Sequence, residues 1–390
     1  MFNFTFHNPV KMVFGKGTIS QAGELIPTGR RILMTYGGGS IKRNGVYDQV
    51  KQALKGRDVM EFGGIEPNPL YETCMQAVEL CRKEKIDFIL AVGGGSVIDG
   101  SKFIAAAVPY QGKDPWDILF ASVGSKCAEV KSAIPVGAVL TLPATGTEMN
   151  ANSVLSRKST LQKRCFSSPF IYPQFSILDP ETTFTLPEKQ TANGIVDAFV
   201  HVAEQYLTVH VNAPLQDRQA EAVFLTLIEE TPKVLANPRD YDARANIMWS
   251  ATCALNGLIG CGVQQDWATH MIGHELTAVY GLDHAQTLAV VLPPLLWRQK
   301  KAKLDKLVKM GERVFGIRAA DKDVAAEKTI VAIKAFFDSV GVPTTLSAYN
   351  IKSSEAAAAV YKRIKPLNSV FGEHADITPE VVRDIVSAAV

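Results

Sequence analysis

The sequence predicts an α/β domain followed by an all-helical domain, and two observations carry that reading. Over roughly the first 180 residues, short apolar β-branched runs alternate with longer segments of helical period, the rhythm of a parallel sheet covered on both faces. From about Leu186 onward strand-like runs largely disappear and helix-period segments follow one another. The change falls in DPETTFTLPE, residues 179–188, which holds two prolines, so the domains are expected at 1–185 and 186–390.

Each element has its own signal. RRILMTYGGG reads as a strand running into a glycine turn, and NGVYDQVKQALKG as a helix with Asn44 as its cap and Gly56 beyond its end. DVMEFGG is strand-like. NPLYETCMQAVELCRKEK sets Leu70, Cys74, Ala77, Val78 and Cys81 on one helical face. FILAVGGG is a continuous apolar strand followed by the helical SVIDGSKFIAAAV, and AVLTLPAT and FSILD add two further strands. Among the later helices are EKQTANGIVDAFVHVAEQYL, DRQAEAVFLTLIEETPKVL, ARANIMWSATCALNGLIG and DWATHMIGHELTAVYG.

Composition narrows the function. The 390 residues are 47% hydrophobic and 21% charged, with 41 basic against 39 acidic side chains, an ordinary globular balance. A net charge of +2 without long single-sign runs argues against nucleic-acid partners and polybasic membrane attachment. The longest apolar stretches, such as TLAVVLPPLLW, are too short to span a bilayer and contain prolines. Six cysteines lack the two-residue gap of redox or zinc-knuckle motifs, and the N-terminus lacks signal-peptide features. A cytoplasmic protein with reduced thiols is the expectation.

Two glycine turns point to a dinucleotide. In AVGGGSVIDGSK, Gly93, Gly94 and Gly95 let a ligand approach the backbone, and Ser96 is placed to cap the helix whose amides would face a pyrophosphate. The spacing departs from the usual fingerprint, since Ile98 stands where its third glycine would be. Asp99 and Lys102 lie one turn in, as exposed charges or as site residues. The first strand ends in Gly37, Gly38, Gly39 and Ser40, with Lys42 and Arg43 behind and no carboxylate. That leaves nothing to repel a 2′-phosphate and leans toward NADP(H).

Five of the seven histidines, His201, His210, His270, His274 and His284, fall early in the helical half. Asp197 and His201 are four apart, as are His270 and His274, with Asp266 one turn before and His284 in the loop-like GLDHAQT. A carboxylate and three imidazoles make a good shell for a divalent transition metal. Spacing alone leaves open which later histidine is not a ligand. His7, His210 and His374 have no such company and are read as surface residues.

Together, GGGSVIDGSK, TLPATGTE, NGIVDAFVHVAEQY and GHELTAVYGLDHAQTLA make the chain resemble the iron-containing (group III) alcohol dehydrogenase family, with its dehydroquinate-synthase-like fold. The likeness covers essentially the whole chain and is nearest the NADPH-dependent aldehyde reductase and butanol dehydrogenase branch. It implies metal ligands at Asp197, His201, His270 and His284, with one divalent ion, Zn or Fe. His274 then matches the histidine near nicotinamide and substrate. Gly94, Gly95 and Ser96 match the pyrophosphate loop and Asp99 the nicotinamide side. Thr141, Leu142 and Thr145 match cofactor contacts, as do Asn152 and Lys163. The implied activity is metal-assisted hydride transfer between NADPH and small aldehydes or alcohols, in a homodimer. The alternatives are another reaction on this fold, of dehydroquinate synthase or glycerol-phosphate dehydrogenase type, and a non-catalytic nucleotide- or metal-binding sensor.

Overall fold

The computed structural model describes residues 1–120 and 127–390. Strands β1 (Lys11–Phe14), β2 (Arg31–Tyr36), β3 (Asp58–Phe62), β4 (Phe88–Gly94), β5 (Val136–Leu142) and β8 (Phe175–Leu178) form one parallel sheet in the order β1-β8-β5-β4-β2-β3. Between β5 and β8 the chain makes an antiparallel hairpin, β6 (Asn152–Arg157) and β7 (Gln162–Ser167). β1 and this hairpin carry no run that the sequence pattern had singled out.

Alternation along the strands builds two cores. Ile32, Met34, Phe88, Leu90 and Val92 pack on one face with Val46 and Val50 of helix α1 (Val46–Ala53). Leu33, Ile89, Ala91, Ala138 and Leu140 pack on the other, against α2 (Tyr71–Glu84) and α3 (Gly95–Ala107). Cys74, Ala77, Val78 and Cys81 form the buried stripe of α2, as their spacing predicts. Two caps differ from expectation. Gly45 in the left-handed region is the N-cap of α1, while Asn44 Oδ1 accepts the Val46 amide at 3.2 Å. α3 begins at Gly95, one residue before Ser96, so Ser96 lies inside the first turn and its hydroxyl instead accepts the Asn68 amide at 3.3 Å.

The helical part comprises α4 (Glu188–Tyr206), α5 (Pro214–Ala236), α6 (Tyr241–Ala254), α7 (Ala268–Tyr280), α8 (His284–Arg298), α9 (Leu304–Phe315), α10 (Lys322–Ser339), α11 (Ser353–Ile364) and α12 (Pro379–Ser387). The chain divides into two compact units that are not contiguous in sequence. Met1–Phe6, Glu188–Pro232 and Cys253–Val390 form the helical unit, and His7–Pro187 with Lys233–Thr252 the α/β unit. The reasons are local. Pro232 interrupts α5 at the division. Beyond it, Trp249 meets Phe14 edge-on at 6.0 Å, Met248 enters the α/β core, and the Thr252 hydroxyl donates to Glu148 Oε1 at 2.5 Å. Phe2 N donates to Gly262 O at 2.8 Å, which ties the first residues to the helical unit. Among the described residues, no helix is long and apolar enough to cross a membrane.

Candidate active site

In the helical unit, α4 carries Asp197 and His201, α7 carries His270 and His274, and His284 is the first residue of α8. One carboxylate oxygen is the common point. Asp197 Oδ1 lies 3.6 Å from His201 Nε2, 3.8 Å from His270 Nε2 and 3.7 Å from His284 Nε2. These separations exceed hydrogen-bond length. They approach the roughly 3.4 Å between ligands that bonds of about 2.0–2.1 Å to a tetrahedral ion would give. Ligand atoms of Asp197, His201 and His270 all lie within 4.8 Å of one another. His270 Nε2 is buried without a hydrogen-bond partner, a cost that a metal bond removes. Burial favours neutral His270, yet Glu204 and Asp197 outweigh it and raise its pKa to about 9. The pocket is thus built for positive charge, and the residues present fit a divalent ion.

His274 is buried beside the same cluster, with its ring 5.4 Å from that of His284 and 6.5 Å from that of His270. Asp266 takes no part in the cluster. Its Oδ2 accepts from buried Lys303 at 2.9 Å and its Oδ1 caps α7 through the Ala268 amide at 2.8 Å. His7, His210 and His374 are exposed.

Sequence reasoning missed Glu204. Its Oε2 pairs with His270 Nδ1, and its Oε1 accepts the Thr269 amide at 2.6 Å. A carboxylate on Nδ1 fixes the tautomer and turns Nε2 toward Asp197. The signal was present, since 197, 201 and 204 are spaced four and three apart on one helix face. Asp283 supports His284 in a similar way. It caps α8 reciprocally with Gln286, while its Oδ2 accepts from Lys189 at 2.8 Å and Asn193 at 3.2 Å. We expect Glu204→Gln to weaken metal retention about 10–100-fold, measured by competition with a chelator.

In the α/β unit, the glycine turns close the carboxyl ends of β2 and β4, which are neighbours in the sheet. The chain leaves β2 toward β3 on one side and β4 toward β5 on the other, so this is the switch point of the topology, where ligands bind in open α/β sheets. A Cβ on Gly95 would meet Thr145 Oγ1 at 2.5 Å, and one on Gly94 would meet Leu142 Cβ at 3.0 Å. Those glycines are required by packing. At Gly38 and Gly39 a Cβ would meet nothing within 4 Å, so the space before the β2 turn is open to a ligand. Ser40 is exposed, and Lys42 Nζ sits 4.9 Å and 5.0 Å from the Tyr36 and Tyr47 ring centroids.

Thr141 and Leu142 end β5, Thr145 follows in the next loop, Asn152 opens β6 and Lys163 lies on β7. Lys163 Nζ donates to Asn68 Oδ1 at 2.8 Å. Asp99 and Lys102 are buried rather than exposed. Asp99 Oδ1 accepts from the Thr147 hydroxyl at 2.6 Å and Oδ2 from the Val154 amide at 3.0 Å. Burial outweighs these bonds and Lys102, and raises Asp99 to about 6. Lys102 Nζ donates to Thr147 O at 2.6 Å, Asn150 O at 2.8 Å and Asn152 O at 3.0 Å, so it organises the segment that carries Asn152. Burial lowers its pKa to about 8.

A family model described as "Iron-containing alcohol dehydrogenase" matches residues 9–180, and one described as "Fe-containing alcohol dehydrogenase family, C-terminal" matches residues 191–390. The chain belongs to the iron-containing alcohol dehydrogenase family. It is 56% identical to the NADPH-dependent aldehyde reductase YqhD of Escherichia coli, over 100% of both chains. It is 41% identical, again over 100% of both, to a probable NADH-dependent butanol dehydrogenase of Bacillus subtilis. A crystal structure of Escherichia coli YqhD superposes with a TM-score of 0.96 at 55% identity, covering 100% of this chain and 99% of that one. NADH-dependent butanol dehydrogenase A of Thermotoga maritima gives 0.93 at 39% identity with the same coverage. The dehydroquinate-synthase-like fold of this alcohol dehydrogenase family is therefore that of the chain.

Proposed function

We propose that this iron-containing alcohol dehydrogenase reduces small aldehydes to primary alcohols, and runs the reverse, with NADPH and one divalent ion, Zn²⁺ or Fe²⁺, held by Asp197, His201, His270 and His284. The observation that carries this reading is the approach of three imidazole Nε2 atoms to one Asp197 oxygen at 3.6–3.8 Å. When bound, such an ion supplies Lewis acidity toward a carbonyl oxygen, and the nicotinamide supplies the hydride.

The chain's own residues do the rest. Glu204 holds His270 in one tautomer, and the capped start of α8 fixes His284. His274, buried beside both, is assigned to deliver a proton to the product oxygen. Gly94, Gly95 and Ser96 hold the pyrophosphate, and Gly37, Gly38, Gly39 and Ser40 face the 2′-phosphate. Thr141, Leu142, Thr145, Asn152 and Lys163 make the remaining cofactor contacts, with Asp99 on the nicotinamide side.

An anionic substrate would need free cations at the histidine cluster. Lys303 is taken by Asp266 and Glu373, both at 2.9 Å, and Lys189 by Asp283, which favours a neutral carbonyl substrate. We further propose a cytoplasmic location and a homodimer, the homodimer supported by the exposed Phe2, Phe4 and Phe6 at the N-terminus and tested by light scattering after gel filtration.

The test of the reaction is NADPH oxidation with butanal by metal-stripped protein, with Zn²⁺ or Fe²⁺ added back and NADH run in parallel. Metal-dependent turnover favouring NADPH is expected. Turnover favouring NADH would remove the 2′-phosphate assignment, and none with either nucleotide would remove the reaction.

A further inference from the structure

Trp267 carries backbone strain beside the histidine cluster. Its φ of 65° lies in the left-handed region, which a glycine adopts freely and a bulky side chain does not. Its neighbours hold it there. Asp266 N donates to Glu204 O at 2.9 Å, and Ala268 N to Asp266 Oδ1 at 2.8 Å. Thr269 N is held by Glu204 Oε1, and Lys303 anchors the Asp266 carboxylate.

The indole itself is fixed too. Its N–H donates to Gln265 Oε1 at 2.8 Å, and Gly260 leaves the room for Gln265, since a Cβ there would come within 2.3 Å of Gln265 Nε2. Strain of this kind persists where surrounding structure enforces it, and it clusters at functional sites. Core packing does not account for it here, because Trp267 is only half-buried. Its ring lies 5.3 Å from His270 at 71° and 6.2 Å from His201 at 58°. With the indole N–H already bonded, what remains to offer beside these imidazoles is apolar aromatic surface.

We propose that Trp267 is a specificity-determining residue whose indole receives the apolar substituent of the aldehyde. This rests on the aldehyde-reductase reading, because a carbonyl directed at the histidine cluster must carry its substituent past a neighbouring wall. Bulkier apolar aldehydes are then selected by contact with the ring.

The experiment compares wild type, Trp267→Gly and Trp267→Phe as metal-loaded enzymes. In Trp267→Gly the ratio of kcat/KM for benzaldehyde over acetaldehyde should fall at least about tenfold, through KM, with metal content retained. Trp267→Phe should restore most of the ratio. Separately, benzyl alcohol without nucleotide should quench the tryptophan fluorescence of the wild type, and the quench should vanish in Trp267→Phe. An equal loss for both aldehydes, or loss of metal in Trp267→Gly, would overturn the proposal. If the wild type reduces no aldehyde, the reaction reading fails, and the wall is then judged on benzyl alcohol alone. An unchanged fluorescence overturns it.

Discussion

His270→Ala should strip the protein of stoichiometric metal and cut NADPH-dependent butanal reduction by about three orders of magnitude or more. His274→Ala should keep its metal and lose about 10²–10⁴ in turnover, the range for a positioned proton donor. The two residues are one helical turn apart on α7 and both buried, so composition and exposure do not separate them. Their partners do. His270 faces Asp197 with one nitrogen and Glu204 with the other, the arrangement of a metal ligand with a carboxylate behind it. Removing its ring also leaves Glu204, only 3% exposed, without the imidazole that meets its charge. His270→Ala should therefore lower the unfolding temperature of the metal-free protein as well. Metal analysis of the purified variants, beside initial rates, separates the roles. Metal lost from His274→Ala but retained by His270→Ala would reverse the assignment.

The parts of this molecule that were legible in the sequence share a property: their information is periodic or local. The α2 stripe of Cys74, Ala77, Val78 and Cys81 repeats at helical spacing, and Asp197 with His201 falls on one face of α4 for the same reason. The glycine turns after β2 and β4 announce themselves as runs of three glycines, in which Gly39 takes a left-handed φ and Gly95 has no room for a Cβ. What was not legible depends on distant partners. Lys102 could be read as exposed or as part of a site until Thr147, Asn150 and Asn152 were seen around its ammonium. The attachment of residues 233–252 to the α/β unit rests on Trp249 meeting Phe14 and on Thr252 meeting Glu148, pairs separated by more than a hundred residues. The β6–β7 hairpin is short, and its runs NSVLSR and QKRCFS carry little hydrophobic alternation. Glu204 is a different case. Its spacing was visible, but only the contact with His270 Nδ1 distinguishes it from any other acidic residue on a helix.

Gly38→Asp should shift nucleotide preference from NADPH toward NADH by roughly thirtyfold. A side chain at this position meets nothing within 4 Å, and no left-handed φ stands in its way, so a carboxylate enters without strain. It then occupies the open space before the β2 turn, the region assigned to the 2′-phosphate. Two unit charges about 4 Å apart in water repel by about 1 kcal/mol, and a phosphate close to two charges doubles this. About 2 kcal/mol corresponds to that thirtyfold change. NADH places a hydroxyl there instead, which donates to a carboxylate, so its KM should hold or improve. Relatives of this chain named for NADPH and for NADH both cover its full length, as expected if a few residues at one turn decide the nucleotide. The measurement is kcat/KM for each nucleotide at fixed butanal, repeated at higher salt. Screening should shrink the effect, since Gly38 is exposed and the repulsion acts through solvent. An unchanged ratio would place the 2′-phosphate away from Gly38, and the basic residues of that turn, Lys42 held against Tyr36 and Tyr47 among them, would then serve only its solvation.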